Sequence, residues 1–414
     1  MSDSVSAESN VSLLPDVNPW WQPPRLRNKE TRKERHPTWL ELFFDLVLVA
    51  AIGQLGKCLS QDLSLHGIGC FIFLSIAVWW AWTGVAFYST RFDTNDLSDR
   101  LFYFLQMLGI AALAVTVKGA FDVYSAGFAI AYAILRLLLV IQYLLAAWFV
   151  PKARLLTLRY ACGFSMAAML FLASLWVEPP NRFLVWVLAL LVDFGFPMTA
   201  GKLHVRLPPH NAHISERYGL FILVVLGEAV FGAVAGVSSR PHWTFLAGIC
   251  GVLSLLLAFS LWWVYFDHAS NAPMRAVVRT KRILLYQTWL YSHLPLMICL
   301  SAMGVAIQKL VLAHQFLPLE PMLKWLLCVS IAGSLFVIGI VHAVSCYCGA
   351  RRILRIWLPY GLTIVAIISL AAFLPYPLLP WHWISILAGL SLTNLVIQVQ
   401  YDRTVYNAPC ILNK

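Results

Sequence analysis

Two apolar stretches carry acidic side chains at helical spacing. In HPTWLELFFDLVLVAAIGQL, residues 36–55, Glu41 and Asp45 are four apart and share one helical face. In SERYGLFILVVLGEAVFGAVAG, from Ser215, Glu216 opens the stretch and Glu228 follows twelve residues later. At about 1.5 Å per residue, Asp45 would lie about 10 Å deep in a membrane span and Glu228 roughly 18 Å. Carboxylates in hydrocarbon are costly, and they turn toward a protein interior, a partner charge or water. One without a fixed counter-charge can bind and release a proton. That suits a proton-linked carrier, or a general acid that protonates an alkene or epoxide. Glu228 and Asp45 are the leading proton-binding or general-acid candidates, followed by Glu41, Glu216 and His293. His342 is a further titratable group inside an apolar run.

Candidates for holding a substrate are Arg136, Asp193, Asp93, Asp96 and Arg217. Arg136 falls near the middle of an apolar run and needs a counter-charge, expected from Glu228, Asp45 or Asp193. Glu216 and Arg217 begin a helix, where they would cap it and pair with each other. Asp93, Asp96 and Asp99 recur every third residue between Arg91 and Arg100. Such clusters can hold magnesium and diphosphate. There is no second cluster, however, and a solvated loop with capping residues is the competing reading. Pro295 is expected to break or kink its helix beside His293. No Gly-rich phosphate loop, HExxH or nucleophile elbow is present. Cys346 and Cys348 lack companions at metal spacing, so no metal and no cofactor are expected.

These side chains must be placed by membrane-spanning helices. The chain of 414 residues is 60% hydrophobic and 12% charged, about half the usual charged fraction. Apolar runs occur at roughly 38–58, 66–89, 101–119, 124–150, 155–177, 181–200, 216–237, 242–266, 283–307, 322–346, 354–374 and 380–400. The expected fold is all-α: a polytopic transmembrane bundle of about twelve spans. The net charge of +11 comes mostly from Lys and Arg in alternate connections. That fits the positive-inside rule with both termini cytoplasmic, and it excludes nucleic acid as the natural reading. Four segments follow: a basic, disordered tail over 1–35, spans over 36–207, spans over 208–402 and a tail over 403–414. His36…Glu41 and His213…Glu216 open corresponding spans, and Trp79-Trp80 matches Trp262-Trp263 six spans later. This suggests two parallel six-helix halves. Tryptophans at membrane interfaces would produce the second match without any duplication.

WLELFFDLVLVAAI, WWAWTGVAFYSTRFDTNDLSDR, SERYGLFILVVLGE and WWVYFDHAS…YSHLPL occur in this order. Together they resemble the low temperature requirement A family of integral membrane proteins. The resemblance implies a multi-pass membrane protein and a role in growth in the cold, but no particular chemistry.

Three functions remain open at this point. The first is a proton-linked carrier or channel for an unidentified small molecule or ion. The second is an intramembrane enzyme acting on an apolar lipid or isoprenoid, with a buried acid as its proton donor. The third is a non-catalytic membrane component of cold adaptation. Membrane lipids, in the cell membrane, are the expected surroundings in all three.

Overall fold

The computed structural model describes residues 20–26, 38–93, 96–207, 211–240, 242–268, 283–346, 350–374 and 377–406. Most of the tail expected over 1–35 lies outside the described residues. So do Arg275, Arg279, Lys281, Arg282, Cys348, Cys410 and the end of the tail expected from 403.

The helices are α1 (Trp39–Gln61), α2 (Leu65–Ser89), α3 (Leu97–Val117), α4 (Ser125–Phe149), α5 (Arg154–Ala173), α6 (Asn181–Met198), a short α7 (Gly201–Arg206), α8 (Asn211–Ser238), α9 (Phe245–His268), α10 (Ile283–Leu312), α11 (Pro321–Cys346), α12 (Ala350–Phe373) and α13 (Pro380–Tyr406). Twelve helices among the described residues are long and apolar enough to cross a membrane. The protein is an all-α, multi-pass membrane bundle. The only β-structure among the described residues is a two-residue antiparallel pairing of β1 (Arg25–Leu26) with β2 (Phe92–Asp93).

Short polar residues start the first helices. Thr38 Oγ1 accepts the Glu41 backbone N–H, and Glu41 Oε2 accepts the Thr38 N–H at 2.8 Å. This reciprocal capping box satisfies two N–H groups that hydrocarbon would leave stranded. Ser64 caps α2 and Asp96 caps α3 with the side chain alone, accepting from the N–H of Gly67 and of Asp99. The break expected at Pro295 does not occur. α10 runs unbroken through it for 30 residues.

In the first six spans α1 packs on α2 and α3, and α2 on α3 and α4. From there α3 packs on α4, α4 on α5 and α5 on α6. In the last six, α8 packs on α9 and α10, and α9 on α10, α11 and α13. α10 then packs on α11, α11 on α12 and α12 on α13. The two sets meet where α1 touches α8 and α10, and where α2 touches α10. α8 and α10 approach backbone to backbone. A Cβ on Gly304 would stand 2.8 Å from the Glu228 carbonyl, and one on Gly232 would fall on the Gly304 carbonyl oxygen. Small residues at such a crossing are how helices associate without a hydrophobic driving force.

α2 lies at the centre of the first set. Trp79, Trp80 and Trp82 are each no more than 1% exposed. The interfacial reading of Trp79-Trp80 is therefore corrected: these rings fill the bundle interior, with Trp80 stacked on Phe194 of α6 at 3.9 Å. Trp262 and Trp263 of α9, in contrast, are more than a third exposed.

Candidate functional site

α1 and α8 lie side by side and run the same way, with Glu41 against His213 at their starts and Gly53 against Glu228 farther along. The end of the bundle where both begin is called the near end below. There, four charged or titratable side chains meet in an interior less than 5% exposed. Glu41 and Asp45 come from α1. His213 and Arg217, also four apart, come from the facing side of α8. His213 Nε2 lies 3.1 Å from Glu41 Oε2. Arg217 bridges the two acids, with Nη1 3.4 Å from Glu41 Oε1 and Nη2 donating to Asp45 Oδ1 at 3.3 Å.

Neutral side chains hold this cluster in place. Trp82 Nε1 of α2 donates to Asp45 Oδ1 at 2.6 Å. Arg217 Nη1 also donates to Ser89 Oγ. Tyr103 of α3 donates to Glu41 Oε1 at 3.5 Å. The guanidinium sits 5.9 Å from the ring centroids of both Phe44 and Trp82, within cation–π range. Asp45 Oδ2, Arg217 Nε and His213 Nδ1 are buried and lack a hydrogen-bond partner. The cluster sets two carboxylates against one guanidinium and one imidazole.

The expected pairing of Arg217 with Glu216 is corrected. Neighbours in a helix point about 100° apart, and Arg217 turns inward to the acids of α1 while Glu216 stays half-buried. Glu228 lies about 16 Å beyond Arg217 along α8. Its carboxylate occupies a slot opposite Gly53 and Gly56 of α1, 3.6 and 3.8 Å from where their Cβ atoms would be. It has no hydrogen-bond partner among the described residues and interacts electrostatically with Lys57.

Arg136 pairs with Asp193, from Nε to Oδ2 at 2.7 Å, both fully buried. Tyr132 closes this unit, donating to Asp193 Oδ2 at 2.6 Å and accepting from Arg136 Nη2. It is a self-contained, neutral pair apart from Glu41, Asp45 and Glu228. His293 is held by Tyr265 at 3.0 Å and by the Trp289 carbonyl at 2.8 Å. It joins the cluster only through rings: Tyr218 lies 4.8 Å from His293 and 5.0 Å from Trp82. His342 sits apart, beside Tyr360 of α12.

Asp96 is 2% exposed and accepts from the N–H of Asp99 at 2.8 Å, from Ser98 and from the N–H of Gln22. It caps α3 and anchors the N-terminal segment. Asp93 lies in β2, paired with Arg25. A shallow recess of about 20 Å³ at this end is lined by Trp21, Tyr88, Asp99 and Gln142, among others, and by none of the candidate residues.

Residues 36–392 match the family described as Bacterial low temperature requirement A protein. The chain belongs to that family. The low temperature requirement A match takes in all of α1 to α12 and the first part of α13, and so both sides of the charge cluster. The chain is also similar to "Uncharacterized protein RA0937" of Rhizobium meliloti (strain 1021). The two are 28% identical over 302 residues, covering 70% of this chain and 72% of the relative. No solved structure matches.

Sequence reasoning did not assign His213, Trp82, Ser89 or Tyr103 to the site. One signal was available. Acids at 41 and 45 on one helix complement a histidine and an arginine at 213 and 217 on another, both at a spacing of four. Thr38-x-x-Glu41 likewise has the capping-box pattern.

Proposed function

We propose that the protein is a proton-linked carrier of a small solute, built from two parallel six-helix halves over residues 36–207 and 208–402. The observation that carries the reading is the charge count between α1 and α8. Two acids from one half share one arginine and one histidine from the other in a buried interior, where a proton can be taken up. Binding a proton there changes the charge balance. It also weakens the attraction between Arg217 and the acids, which are among the few polar groups joining the halves. Protonation and the relative position of the halves are therefore linked, as alternating access requires. Glu228, partly exposed in its glycine slot, is the second proton site.

The matching packing supports duplication. Each contact within the first half, α1 on α2 and α3 through to α5 on α6, has its counterpart seven helix numbers later. The basic connections favour a cytoplasmic near end in the cell membrane.

The test is purified protein in liposomes loaded with a pH dye. A panel of solutes and ions is presented to wild type, Asp45→Asn and Glu228→Gln. The expected result is solute-dependent proton movement in wild type and its loss in Asp45→Asn. No wild-type proton movement with any solute in a broad panel would overturn the reading.

A further inference from the structure

Arg91 follows the last turn of α2 at the near end and is 4% exposed. Unlike Arg136 and Arg217, it has no carboxylate partner among the described residues. Its Nη1 reaches the carbonyl of Phe87, one turn back, at 3.3 Å. Its Nη2 contacts His204 Nδ1 of α7 at 2.8 Å. His204 Nε2 lies 3.1 Å from the Pro197 carbonyl. The second contact needs an Nε2–H donor, so Nδ1 is the acceptor and His204 is neutral. The guanidinium cannot lose its proton. The site therefore keeps one whole positive charge that nothing beside it cancels, a costly state for a buried ion.

Unused donors lie near this charge. Arg91 Nε has no partner. The hydroxyls of Tyr143 (α4) and Tyr286 (α10) are buried and also lack partners. Tyr160, Tyr286, Tyr143 and Tyr291 are close enough to act on Arg91 electrostatically. The guanidinium is 5.6 Å from the Phe87 ring and 6.0 Å from the Tyr160 ring. Tyr291 in turn lies 6.1 Å from Trp80. These donors and rings come from both halves.

We propose that Arg91 anchors a binding site for a small monocarboxylate, with the Tyr143 and Tyr286 hydroxyls as further donors and the surrounding rings against its apolar body. A planar carboxylate matches the guanidinium fork. One negative charge neutralises the site, whereas a phosphate dianion would overcharge it. As the substrate of transport this rests on the carrier reading above; as a binding site it stands alone.

The test uses the full chain in nanodiscs. Thermal unfolding is followed with benzoate, acetate, inorganic phosphate or chloride added to the same ionic strength. Benzoate or acetate should raise the midpoint saturably, and phosphate and chloride should not. Arg91→Gln should weaken carboxylate binding by about tenfold or more. Without ligand it should unfold no earlier than wild type, because a buried uncancelled charge has been removed. Tyr286→Phe, which deletes only a partnerless hydroxyl, should fold normally and bind carboxylate more weakly. The proposal is overturned if neither carboxylate stabilises wild type, or if chloride or phosphate does so equally. It is also overturned if Arg91→Gln without ligand unfolds well below wild type, which marks a structural arginine. Carboxylate binding without proton-coupled flux would overturn the carrier reading and leave the site standing.

Discussion

Replacing Arg217 with methionine removes the cation that Glu41 and Asp45 share and keeps most of the side-chain volume. Breaking a buried ion pair by deleting one partner costs about 3–5 kcal/mol. Here two acids lose their cation at once, at 3.4 and 3.3 Å. The two carboxylates then lose the arginine they shared, and protons taken up in the cluster can replace its charge. The folded variant therefore binds more protons than its unfolded chain near neutral pH. Stability follows the difference in protons bound, unfolded minus folded, so it falls as pH rises and recovers as pH drops. Each proton contributes about 1.4 kcal/mol per pH unit, and two set a ceiling of about 2.7. The assay is thermal unfolding in nanodiscs between pH 5 and 8, on wild type, Arg217→Met and the triple variant Arg217→Met/Glu41→Gln/Asp45→Asn. Arg217→Met should be least stable at high pH and rise steeply on acidification. The triple variant, with no charge left to strand, should recover most of the loss at pH 8 and be nearly flat. An Arg217→Met protein that melts like wild type at every pH would refute the charge count, and so would a triple variant no better than the single.

Asp193→Asn should lower stability by about 3–5 kcal/mol by stranding Arg136, and adding Arg136→Met should restore most of it in the same melts. Glu228→Gln should change the melting midpoint by less than about 1 kcal/mol, because no hydrogen bond is lost, while reducing proton flux in liposomes. Trp82→Phe removes the 2.6 Å bond to Asp45; it should cost about 1.5–3 kcal/mol and move the pH dependence of flux, whereas a purely packing role would leave that dependence in place. Gly232→Val should abolish folded protein in size-exclusion profiles, because its side chain meets the Gly304 backbone, which cannot yield as a side chain would.

The spans were legible because hydrocarbon imposes one rule on every segment, a run of apolar residues long enough to cross it. That Arg136 has a carboxylate partner was legible too, but only as a choice among Glu228, Asp45 and Asp193, of which the fold selects Asp193. Arg217 was not. Glu216 stands next to it in sequence, whereas its partners Asp45 and Glu41 lie 172 and 176 positions earlier, and only the matched spacing of four points to them. Trp79-Trp80 failed for another reason. A helix enclosed on every side shows no periodic polar face, so tryptophans inside it look like tryptophans at a membrane interface. Pro295 does not end its helix because a membrane helix tolerates a missing N–H where neighbouring groups satisfy the freed carbonyl.

Three arginines are buried among the described residues, and they differ in how their charge is met. Arg136 has one acid and is neutral. Arg217 is shared by two acids, one of them also against His213. Arg91 has none and leaves its site at +1. The fourth buried acid, Asp96, is held at a helix cap by N–H and hydroxyl donors. Counting Asp96, the buried acids outnumber the buried arginines by one, and charge is unevenly met at two places, around Arg217 and around Arg91. On the reading proposed above, the first takes up a proton and the second an anion. A carrier that fills both together moves a proton and a monocarboxylate with no net charge. Its accumulation of benzoate in liposomes should follow the pH gradient and ignore an imposed potassium diffusion potential. A carrier moving one net charge would gain about 2.3 kcal/mol per 100 mV, about a 50-fold change in the accumulation ratio. Accumulation that tracks the membrane potential on that scale would show that the two sites are not filled together.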